Sequence, residues 1–510
     1  MSDLSGAGKV LTIDELAEQV RQFKAEGKKI VLCHGVFDLL HIGHIRYFRQ
    51  ARKYGDVLVV TVTPDRYVDK GPDRPAFSEN LRTEAIASLG VVDLVAVNAW
   101  PTAEETLRRL RPDFYVKGAE FKDLTDMTGK ISQEAAVVQE IGAELVFAED
   151  IVFSSSNLIN RYLSQFSNET NEYLTIFRNR YQRDDILRII DRMQSLNVLV
   201  VGDTILDEYN YCSVLGVSSK DPALALKYHS QDLFAGGALA VANHVAAFAG
   251  QVQLVTLLGD EDRHEDFIRS QLAPNITPYF ITQPKAPTTL KRRFLDGYSF
   301  NKLLEIYVMN SSGLPEDEDA RLREWMRSNM PNYDLVVAAD FGHGAISGKL
   351  AWELATGAPF LAVNTQANAG NRGFHVVTRY PRADFVSLAG HELQLAMRNE
   401  LGHERTMTDR LARRLGCQQF VTTLGRRGCL VWSRTEDLLG IPALARKVVD
   451  RIGAGDAFFA IASLASRLGV SNEILGFLGN IVGAEAVEII GNKKTIEKMK
   501  VKKHITAILR

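Results

Sequence analysis

Short apolar runs rich in β-branched residues alternate with amphipathic helical segments along most of this 510-residue chain. Residues 29–33 and 197–202 are two such runs, and each has the length of a buried strand. Because strands that alternate with helices usually pair in parallel, the pattern predicts an α/β fold with mainly parallel sheets in both halves. A polar stretch near residue 165 separates the halves. The predicted segments are 1–165, a linker with a helix at 166–196, and 197–510.

Composition and charge exclude several classes of protein. The 60 basic and 62 acidic residues give a formal net charge of −2, so no positive excess favours nucleic acid. The four cysteines form no Cys-x-x-Cys pair, which argues against a disulfide scaffold or a zinc site. No apolar run reaches the length of a membrane span, and the first residues do not resemble a signal peptide. We expect a cytoplasmic enzyme for small molecules, without nucleic acid or membrane as partner.

The segment 35–44, Gly-Val-Phe-Asp-Leu-Leu-His-Ile-Gly-His, is the strongest chemical signal in the N-terminal half. It joins the strand at 29–33 to a helix predicted over 45–54. Free N–H groups and the helix dipole favour an anion at such a turn. Gly43 allows close approach of the backbone, and His41 and His44 can donate to phosphate oxygens. The alternative, a core histidine beside an ordinary first-turn residue, involves no ligand.

A second phosphate motif lies near the C-terminal end. Residues 448–459 are predicted to form a strand, a glycine-rich turn and the start of a helix. Gly453, Ala454 and Gly455 can present consecutive N–H groups as an anion-binding nest. Asp456 at the start of the helix could take a proton from an attacking hydroxyl while a phosphate is held. It could instead only cap the helix.

The N-terminal motif, followed by matching stretches at 51–56, 91–93 and 112–118, resembles the cytidylyltransferase-like family of nucleotidyltransferases over residues 28–160. The resemblance implies a Rossmann-like domain that transfers a nucleotidyl group to a sugar or polyol phosphate and releases pyrophosphate. It implies catalytic roles for His41 and His44. The residues that it implies for nucleotide and phosphate binding are Gly35, Phe37, Lys53, Arg82, Lys117, Gly118 and Ser155. Alternatively, Arg82 is a solvated surface residue and Ser155 a plain helix cap.

The C-terminal motif, preceded by matching stretches at 201–207, 235–238 and 423–428, resembles the ribokinase-like (PfkB) sugar kinases over residues 197–495. The resemblance implies that Asp456 is the catalytic base and that Glu392 acts indirectly on magnesium. Three residues are implied to bind the sugar: Asp207, Gly236 and Gly237. The residues implied for ATP and the anion hole are Thr423, Gly425, Gly428, Gly453, Ala454, Gly455 and Asn480.

Two such domains in one chain resemble the family of bifunctional heptose-phosphate kinase/adenylyltransferases, in which the kinase domain comes first rather than second. The resemblance implies Mg²⁺, ATP or CTP as the nucleotide, a homo-oligomer, and an activated sugar such as ADP-heptose for surface polysaccharide or glycolipid. Five residues depart from that family's polar pattern: Ala240, His343, Asn364, Gln366 and Ala389. Because sugar discrimination depends on satisfied polar pairs, these departures affect which sugar the kinase accepts.

Three hypotheses follow. The first is a bifunctional sugar or sugar-phosphate kinase and sugar 1-phosphate nucleotidyltransferase, with an adenylyl donor favoured by residues 51–53 and 116–118. The second is a nucleotidyltransferase whose kinase-like half only binds sugar, as the departures at Ala240 and Ala389 favour. The third is a polyol-phosphate cytidylyltransferase of the glycerol-phosphate type with a kinase attached.

Overall fold

A computed structural model describes residues 6–68, 74–118, 130–148, 166–298, 301–310 and 312–509. The chain forms two compact units, one of residues 1–165 with 506–510 and the other of residues 166–505. Each unit has parallel strands covered by helices, so the predicted α/β class is confirmed. No helix among the described residues is long and apolar enough to cross a membrane.

The first unit contains a six-stranded sheet in which every pair is parallel. Its strands are β1 (Val10–Leu11), β2 (Ile30–Gly35), β3 (Val57–Val62), β4 (Leu94–Val97), β5 (Phe114–Gly118) and β6 (Glu144–Ala148). Its helices are α1 (Ile13–Ala25), α2 (Ile42–Ala51), α3 (Glu79–Ala87), α4 (Glu104–Leu110) and α5 (Lys130–Glu140). The strand order is β1-β4-β3-β2-β5-β6.

The central strands β2 and β3 are apolar on both faces because helices cover both sides of the sheet. Ile30 and Leu32 pack with α1 and α4 on one face, and Val31 and Cys33 pack with α2 and α3 on the other. Chain order reverses at β2, which lies between β3 and β5. In open parallel sheets a ligand binds outside the carboxyl ends of the strands at such a point, here beyond β2 and β5.

The second unit contains a nine-stranded and a four-stranded sheet among its described residues. The strands of the larger sheet are β7 (Asn197–Gly202), β10 (Gln251–Glu261), β11 (Ile276–Pro287), β14 (Leu335–Asp340), β15 (Leu361–Thr365), β16 (Phe385–Ala389), β17 (Gln419–Thr423), β18 (Cys429–Ser433) and β19 (Leu439–Ile441). The strands of the smaller sheet are β8 (Thr204–Val217), β9 (Leu224–Gly237), β12 (Leu290–Asp296) and β13 (Lys302–Val308).

The second unit also contains eleven described α-helices, of which the first two precede the strands of the larger sheet in the chain. They are α6 (Asn168–Arg180), α7 (Arg183–Arg192), α8 (Ala238–Ala246), α9 (Glu265–Gln271), α10 (Glu316–Asn329), α11 (Gly348–Gly357), α12 (Gly390–Met397), α13 (Glu404–Arg414), α14 (Ala454–Arg467), α15 (Asn472–Ala486) and α16 (Lys498–Ile508). The sheet order is β11-β10-β7-β14-β15-β16-β17-β18-β19, parallel from β11 to β17. Chain order reverses between β7 and β14, which therefore mark the expected ligand position of this sheet.

The four-stranded sheet, ordered β13-β12-β8-β9, departs from the predicted parallel arrangement. Its β8–β9 and β12–β13 pairs are antiparallel, and only β8–β12 is parallel. The physical reason is the short connection after β8, closed by a hydrogen bond of 2.8 Å from Ser218 N to Ala223 O. A connection this short joins antiparallel neighbours only, whereas parallel strands need a crossover.

Three local predictions need correction. The strand expected at 448–450 is absent: Val448 and Val449 are exposed, and the segment is held by N–H donation from 449 and 450 to Val487 O. The helix expected from residue 45 begins earlier, at Ile42. The segment 166–196 forms α6 and α7 rather than a linker with one helix, and Phe177 of α6 stacks on Phe477 of α15 at 4.2 Å.

Candidate active sites

His41 and His44 lie together at the N-terminus of α2, directly beyond β2. His41 caps the helix by accepting a hydrogen bond of 3.0 Å from Gly43 N at Nδ1. The two imidazole rings stack with centroids 4.0 Å apart. Nε2 of His41 is buried and makes no hydrogen bond to any residue that the structure describes. Burial lowers the pKa of His41, so the ring is neutral at pH 7 and can offer an N–H to a ligand.

The turn before the helix is tightly constrained. Phe37 has φ of 48°, a left-handed conformation that costs about 1–3 kcal/mol for a residue with a side chain. A Cβ added to Gly35 would lie only 3.0 Å from the Phe37 ring, so a larger residue there would require the ring to shift. The Phe37 ring in turn meets His44 edge-on at 5.5 Å. The Phe37 ring therefore packs against His44, and Gly35 leaves space for that ring.

Asp38 is a site residue that we did not single out from the sequence. Only 4% of it is exposed, and its carboxylate accepts hydrogen bonds from Ala76 N at 2.6 Å and Phe77 N at 3.3 Å. It also forms an ion pair of 3.2 Å with Arg74. The signal in the sequence was an acidic residue inside the apolar run Val-Phe-Asp-Leu-Leu, where burial requires partners.

Arg82 is buried, which corrects the alternative of a solvated surface residue. Its guanidinium donates to the carbonyl oxygens of Val36, Thr63 and Phe77, and it pairs with Asp65. These acceptors belong to the loops that follow β2 and β3. In this structure Arg82 fixes the loops around the histidines, and its donors are directed at the protein.

The other residues predicted for nucleotide and phosphate binding in the first unit do not all lie near the histidines. Gly118 ends β5, beside β2, whereas Ser155 lies outside the described residues. Lys53 follows the C-terminus of α2, about 15 Å along the helix from its N-terminus, so the structure does not bring it to the histidines. Lys117 forms an ion pair of 2.7 Å with Glu134 of α5, and both are buried. Burial opposes ionisation of Glu134, but Lys117 holds its pKa below the usual value.

In the second unit the carboxyl ends of the parallel strands converge on one edge of the sheet. Residues of the predicted kinase site or its matching stretches follow these strand ends, together with two that depart from the related family's polar pattern, His343 and Gln366. The residues are Asp203 after β7, His343 after β14, Gln366 after β15, Glu392 after β16 and Gly425 after β17. The first turn of α14 brings the anion motif toward this set, since Asp207 and Glu392 both raise the pKa of Asp456. The site is therefore assembled from distant parts of the chain.

Asp456 lies in the first turn of α14, behind the predicted anion hole. Gly453 caps this helix with φ of 81°, and a Cβ there would overlap Oδ1 of Asn492. A Cβ on Gly455 would meet no heavy atom within 4 Å among the described residues, so the first turn of the helix faces open space. Burial, then the charges of Asp207 and Glu392, raise the pKa of Asp456 to about 7. A carboxyl with that pKa suits a general base near neutral pH.

The predicted sugar-binding residues lie on the four-stranded sheet. Asp207 of β8 pairs with the buried Arg293 of β12, and Arg293 also contacts Glu305 at 2.9 Å. A Cβ on Gly236 would overlap the Asp207 carboxylate, which explains why this position is glycine. Gly237 has φ of 57°, a conformation that favours glycine.

Lys291, which the sequence reading did not identify, stands opposite Asp207 in the β8–β12 register. It is 4% exposed, and its ammonium forms no hydrogen bond or ion pair within the described part of the chain. The nearest aromatic group is the Tyr307 ring, at 5.2 Å. Burial lowers the pKa of Lys291, whereas Asp207 raises it. The Lys291 cation thus acts on two carboxyl groups of the candidate site, since it is close enough to interact with Asp207 and to lower the pKa of Asp456.

The residues predicted for ATP lie around β17 and α15. Gly425 and Gly428 have φ of 59° and 86°, and a Cβ on Gly428 would overlap Ile441 O. The Thr423 hydroxyl donates to Leu388 O at 3.4 Å. Asn480 of α15 donates to Pro442 O at 3.1 Å, so in this structure its amide holds the chain after β19.

Glu392 lies at the start of α12 and accepts hydrogen bonds from Ala389 N at 2.8 Å and Ala367 N at 3.1 Å. Burial raises its pKa to about 7. Ala389, one of the departures, thus contributes a backbone donor without a polar side chain. Asn364 donates to Ser387 O at 2.7 Å, and Ala240 is buried in α8. No group of three or more His, Cys, Asp or Glu side chains in the described ranges could hold a metal ion.

Comparisons with known proteins agree with the two motifs. Residues 195–499, more than half of the chain, match the model of the pfkB family of carbohydrate kinases. The chain belongs to this family. Residues 32–161 match the cytidylyltransferase-like model, so both predicted families are confirmed, with the nucleotidyltransferase-like segment before the pfkB segment.

Curated relatives of this pfkB-family chain carry the name bifunctional protein HldE. The relative from Ectopseudomonas mendocina is 38% identical over 138 residues, 27% of this chain and 28% of its own length. The relative from Koribacter versatilis is 27% identical over 299 residues, 58% of this chain and 60% of its own length. Each match therefore spans less than two thirds of the relative.

Solved structures show the same fold for the larger unit. Phosphofructokinase-2 from Escherichia coli, in complex with substrates and products, superposes with a TM-score of 0.51 and 17% identity, covering 62% of this chain and all of that one. Its tetrameric inhibited form gives 0.50 with 16% identity and the same coverage. At this identity the likeness shows the ribokinase-like fold alone.

Proposed function

We propose that this protein is a bifunctional enzyme: an ATP-dependent kinase for a sugar or sugar phosphate, and a nucleotidyltransferase that converts a sugar 1-phosphate into an activated sugar. The observation that supports it is that the two predicted phosphate motifs lie at two helix N-termini, those of α2 and α14, in units that match two transferase families. The relatives named bifunctional protein HldE favour ADP-heptose as the product type over the polyol-phosphate alternative.

In the kinase unit, Asp456 takes the proton of the attacking sugar hydroxyl. The hydroxyl oxygen forms a bond to the γ-phosphorus while the bond from that phosphorus to the β-bridging oxygen breaks, and ADP leaves. The N–H groups of Ala454 and Gly455 at the start of α14 stabilise the charge on the phosphoryl oxygens. Asp207, held by Arg293, binds a neighbouring sugar hydroxyl.

In the transferase unit, the phosphate oxygen of the sugar attacks the α-phosphorus of the nucleotide, and the bond to the β-bridging oxygen breaks to release pyrophosphate. His41 and His44 donate hydrogen bonds to the phosphate oxygens at the start of α2. Nε2 of His41 is available for this because it is buried and makes no hydrogen bond to a described residue. Asp38 and Arg82 hold the loop in this geometry through their hydrogen bonds to Ala76 N and Val36 O.

Both reactions would use Mg²⁺ bound with the nucleotide, and it would supply neutralisation of the phosphate charge. The few acidic side chains near the two sites fit a cation that keeps its waters and takes its other ligands from phosphates. In the kinase unit Glu392, through its position near Asp456, is the residue proposed to act on such a cation indirectly. We also propose that the protein works in the cytoplasm.

A homo-oligomer is proposed on the basis of the four-stranded sheet. Several of its large apolar side chains are exposed: Val214, Leu215, Val217, Leu224, Leu304 and Ile306. Exposed apolar clusters of this kind usually mark an interaction surface. Sedimentation equilibrium of the purified chain would show a dimer or larger species if the proposal holds, and a monomer if it does not.

The enzyme assay uses ³¹P NMR with purified full-length protein and magnesium. Sugars, sugar phosphates and sugar 1-phosphates are offered with ATP and with CTP separately. ADP with a new sugar phosphate, and pyrophosphate with a nucleotide sugar, are the expected products. Pyrophosphate without any kinase product would support the hypothesis that the second unit only binds sugar.

A further inference from the structure

A buried histidine faces a small cavity beside the predicted sugar site. His343 is 3% exposed, and neither ring nitrogen makes a hydrogen bond to a described residue. The cavity has a volume of about 10 Å³, and its wall includes His343, Asp203, Thr204 and Thr289. This volume is close to what a single water-sized oxygen needs. A buried polar group without a partner costs about 1–3 kcal/mol in free energy, so its retention indicates a ligand.

The cavity lies where a ligand of this sheet is expected. Asp203 follows β7 and His343 follows β14, and these strands flank the reversal of chain order. Thr204 pairs with Gly237, one of the predicted sugar-site glycines. Thr289 lies two residues before Lys291, about 7 Å along the strand direction. One sugar bound at Asp207 and Lys291 can therefore extend into the cavity.

Most polar atoms of the wall are already engaged. The Thr204 hydroxyl lies 2.8 Å from that of Thr256. The Thr288 hydroxyl donates to Arg263 O at 3.0 Å and accepts from Gly259 N at 3.1 Å. The amide of Gln283 donates to two backbone carbonyls. Among the side chains that line the cavity, both ring nitrogens of His343 are buried without a hydrogen-bond partner in the described residues, and Thr289 adds a hydroxyl to the same wall.

The charges around the cavity disfavour an anion. Burial, and then Lys291 and His375, lower the pKa of His343 to about 4, so the ring is neutral at pH 7. Burial, and then the charge of Asp340, raise the pKa of Asp203 to about 6, and its carboxylate accepts hydrogen bonds from Phe341 N and Ala345 N, so it is ionised at pH 7. The ammonium of Lys291 also faces Asp207 and Asp456. A phosphate in the cavity would meet the carboxylate of Asp203, and the residues that line the cavity include no lysine or arginine.

We infer that the cavity beside His343 and Thr289 holds a hydroxyl group of the sugar, so that the kinase accepts a sugar with no phosphate on the carbon atom whose substituent enters the cavity. The inference rests on the proposed function, because it names the substrate class of the same site. His343 is then a specificity-determining residue that donates from one ring nitrogen and accepts at the other.

A kinase that accepts such a sugar also constrains the order of the two reactions. Transfer of one phosphoryl group from ATP to such a sugar gives a monophosphate and ADP. If the phosphorylated hydroxyl is the anomeric one, this product is already the substrate class of the transferase unit. No dephosphorylating reaction would then be needed between the two activities.

The experiment is titration calorimetry on the full-length protein with glucose, mannose and a heptose, each offered free and as its 6- or 7-phosphate. We expect at least one free sugar to bind more tightly than its terminal phosphate. His343→Phe, which keeps the ring volume but removes both nitrogens, should weaken that sugar about tenfold and leave ATP affinity unchanged. Thr289→Val supplies a second, nearly isosteric variant with a smaller loss. His229→Ala, at an exposed histidine of β9, is the matched control.

Tighter binding of the phosphorylated form in the wild-type protein would overturn the inference, as would binding of neither form. Equal affinities of the wild type and both variants for the free sugar would also overturn it. A parallel assay of ADP release tests the proposed kinase activity itself. Free-sugar binding that depends on His343 but yields no ADP would support the subsite and contradict the proposed function.

Discussion

Asp456, Glu392 and Asp203 are carboxyl groups whose pKa values burial raises to about 7, 7 and 6. All three lie around the kinase cleft. Asp340, equally buried, instead keeps a lowered pKa because it contacts His375, Arg379 and Tyr380. The difference is direct contact: Asp340 is hydrogen-bonded to His375 and Arg379, whereas the other three carboxyl groups form no hydrogen bond to a cationic side chain among the described residues and titrate near neutral pH.

The first prediction concerns the pH dependence of the kinase. Asp456 must be ionised to accept a proton, so kcat/KM should rise with pH up to about 7 and then level off. Below that pKa the rate should fall about tenfold for each pH unit. The measurement is ADP release from pH 5.5 to 9, with pyrophosphate release by the same preparation as the control. A rate that is flat from pH 5.5 to 7 would contradict the assignment of Asp456 as the base.

The second prediction concerns Lys291, whose charge lowers the pKa of Asp456. Lys291→Met should move the acidic limb of the kinase profile to higher pH, because the carboxylate loses a stabilising cation. Lys302→Met is the matched control, because Lys302 lies on the neighbouring strand β13 and forms an ion pair of 3.3 Å with a different carboxylate, that of Asp450. An unchanged limb in Lys291→Met would show that this lysine does not act on the base.

At the scale of elements, glycine positions decide how closely strands and side chains approach. Gly202, at the end of β7, would place an added Cβ against Ala339 O of β14. Gly236, at the end of β9, faces the Asp207 carboxylate. Neither residue could be replaced without moving the strand ends that hold the cleft. Helix starts also position the candidate sites, since the first turns of α2 and α14 carry the two proposed anion sites.

The third prediction tests the role of Gly236. Gly236→Ala should raise the KM for the sugar while the KM for ATP stays unchanged, because the new methyl group displaces the Asp207 carboxylate. Gly483→Ala in α15 is the control, since no heavy atom lies within 4 Å of a Cβ there among the described residues. That control should leave both KM values unchanged and stabilise the protein by about 0.5–1 kcal/mol. Equal sugar KM values in the two variants would contradict the proposed place of Asp207.

The fourth prediction concerns the ion pair between β5 and α5. Glu134→Gln removes the carboxylate charge that faces the buried ammonium of Lys117 and should destabilise the first unit by about 3–5 kcal/mol. Glu140→Gln removes the exposed pair with Arg108 from the same helix and should cost less than about 1 kcal/mol. Hydrogen exchange of the β5 amides in urea reports the free energy of unfolding. Similar losses of unfolding free energy in Glu134→Gln and Glu140→Gln would contradict the prediction that the buried ion pair contributes more stability than the exposed one.

At the scale of the whole molecule, each unit has its own core and its own switch in strand order. The clusters on the two faces of the six-stranded sheet contain residues of the first unit only. The cluster around α10 to α13 contains residues of the second unit only. Two self-sufficient cores suit two activities that can be removed one at a time.

The fifth prediction is this separation. Asp456→Asn should abolish ADP formation and leave pyrophosphate release intact, because it changes a residue of the second unit only. His44→Ala should have the reverse effect. Both activities are followed in one sample by ³¹P NMR. Loss of both activities from either single change would contradict two independent sites.

The sequence by itself determined the α/β class, the two families and their order, because these depend on strand-and-helix periodicity and on short motifs that are contiguous in the chain. The strand, turn and helix around His41 and His44 were predictable for this reason. The 448–450 segment was predicted wrongly because β-branched residues favour a strand only where a partner strand is available.

Only the tertiary structure decided which distant residues meet. Lys291, Asp38 and His343 carry no local motif, and their importance lies in burial and in partners that are far away in the sequence. Lys53 shows the opposite case, since closeness in the sequence did not bring it to the histidines across the length of α2. Charge states, too, depended on burial and on neighbouring charges, because desolvation is a property of the folded chain and not of its order of residues.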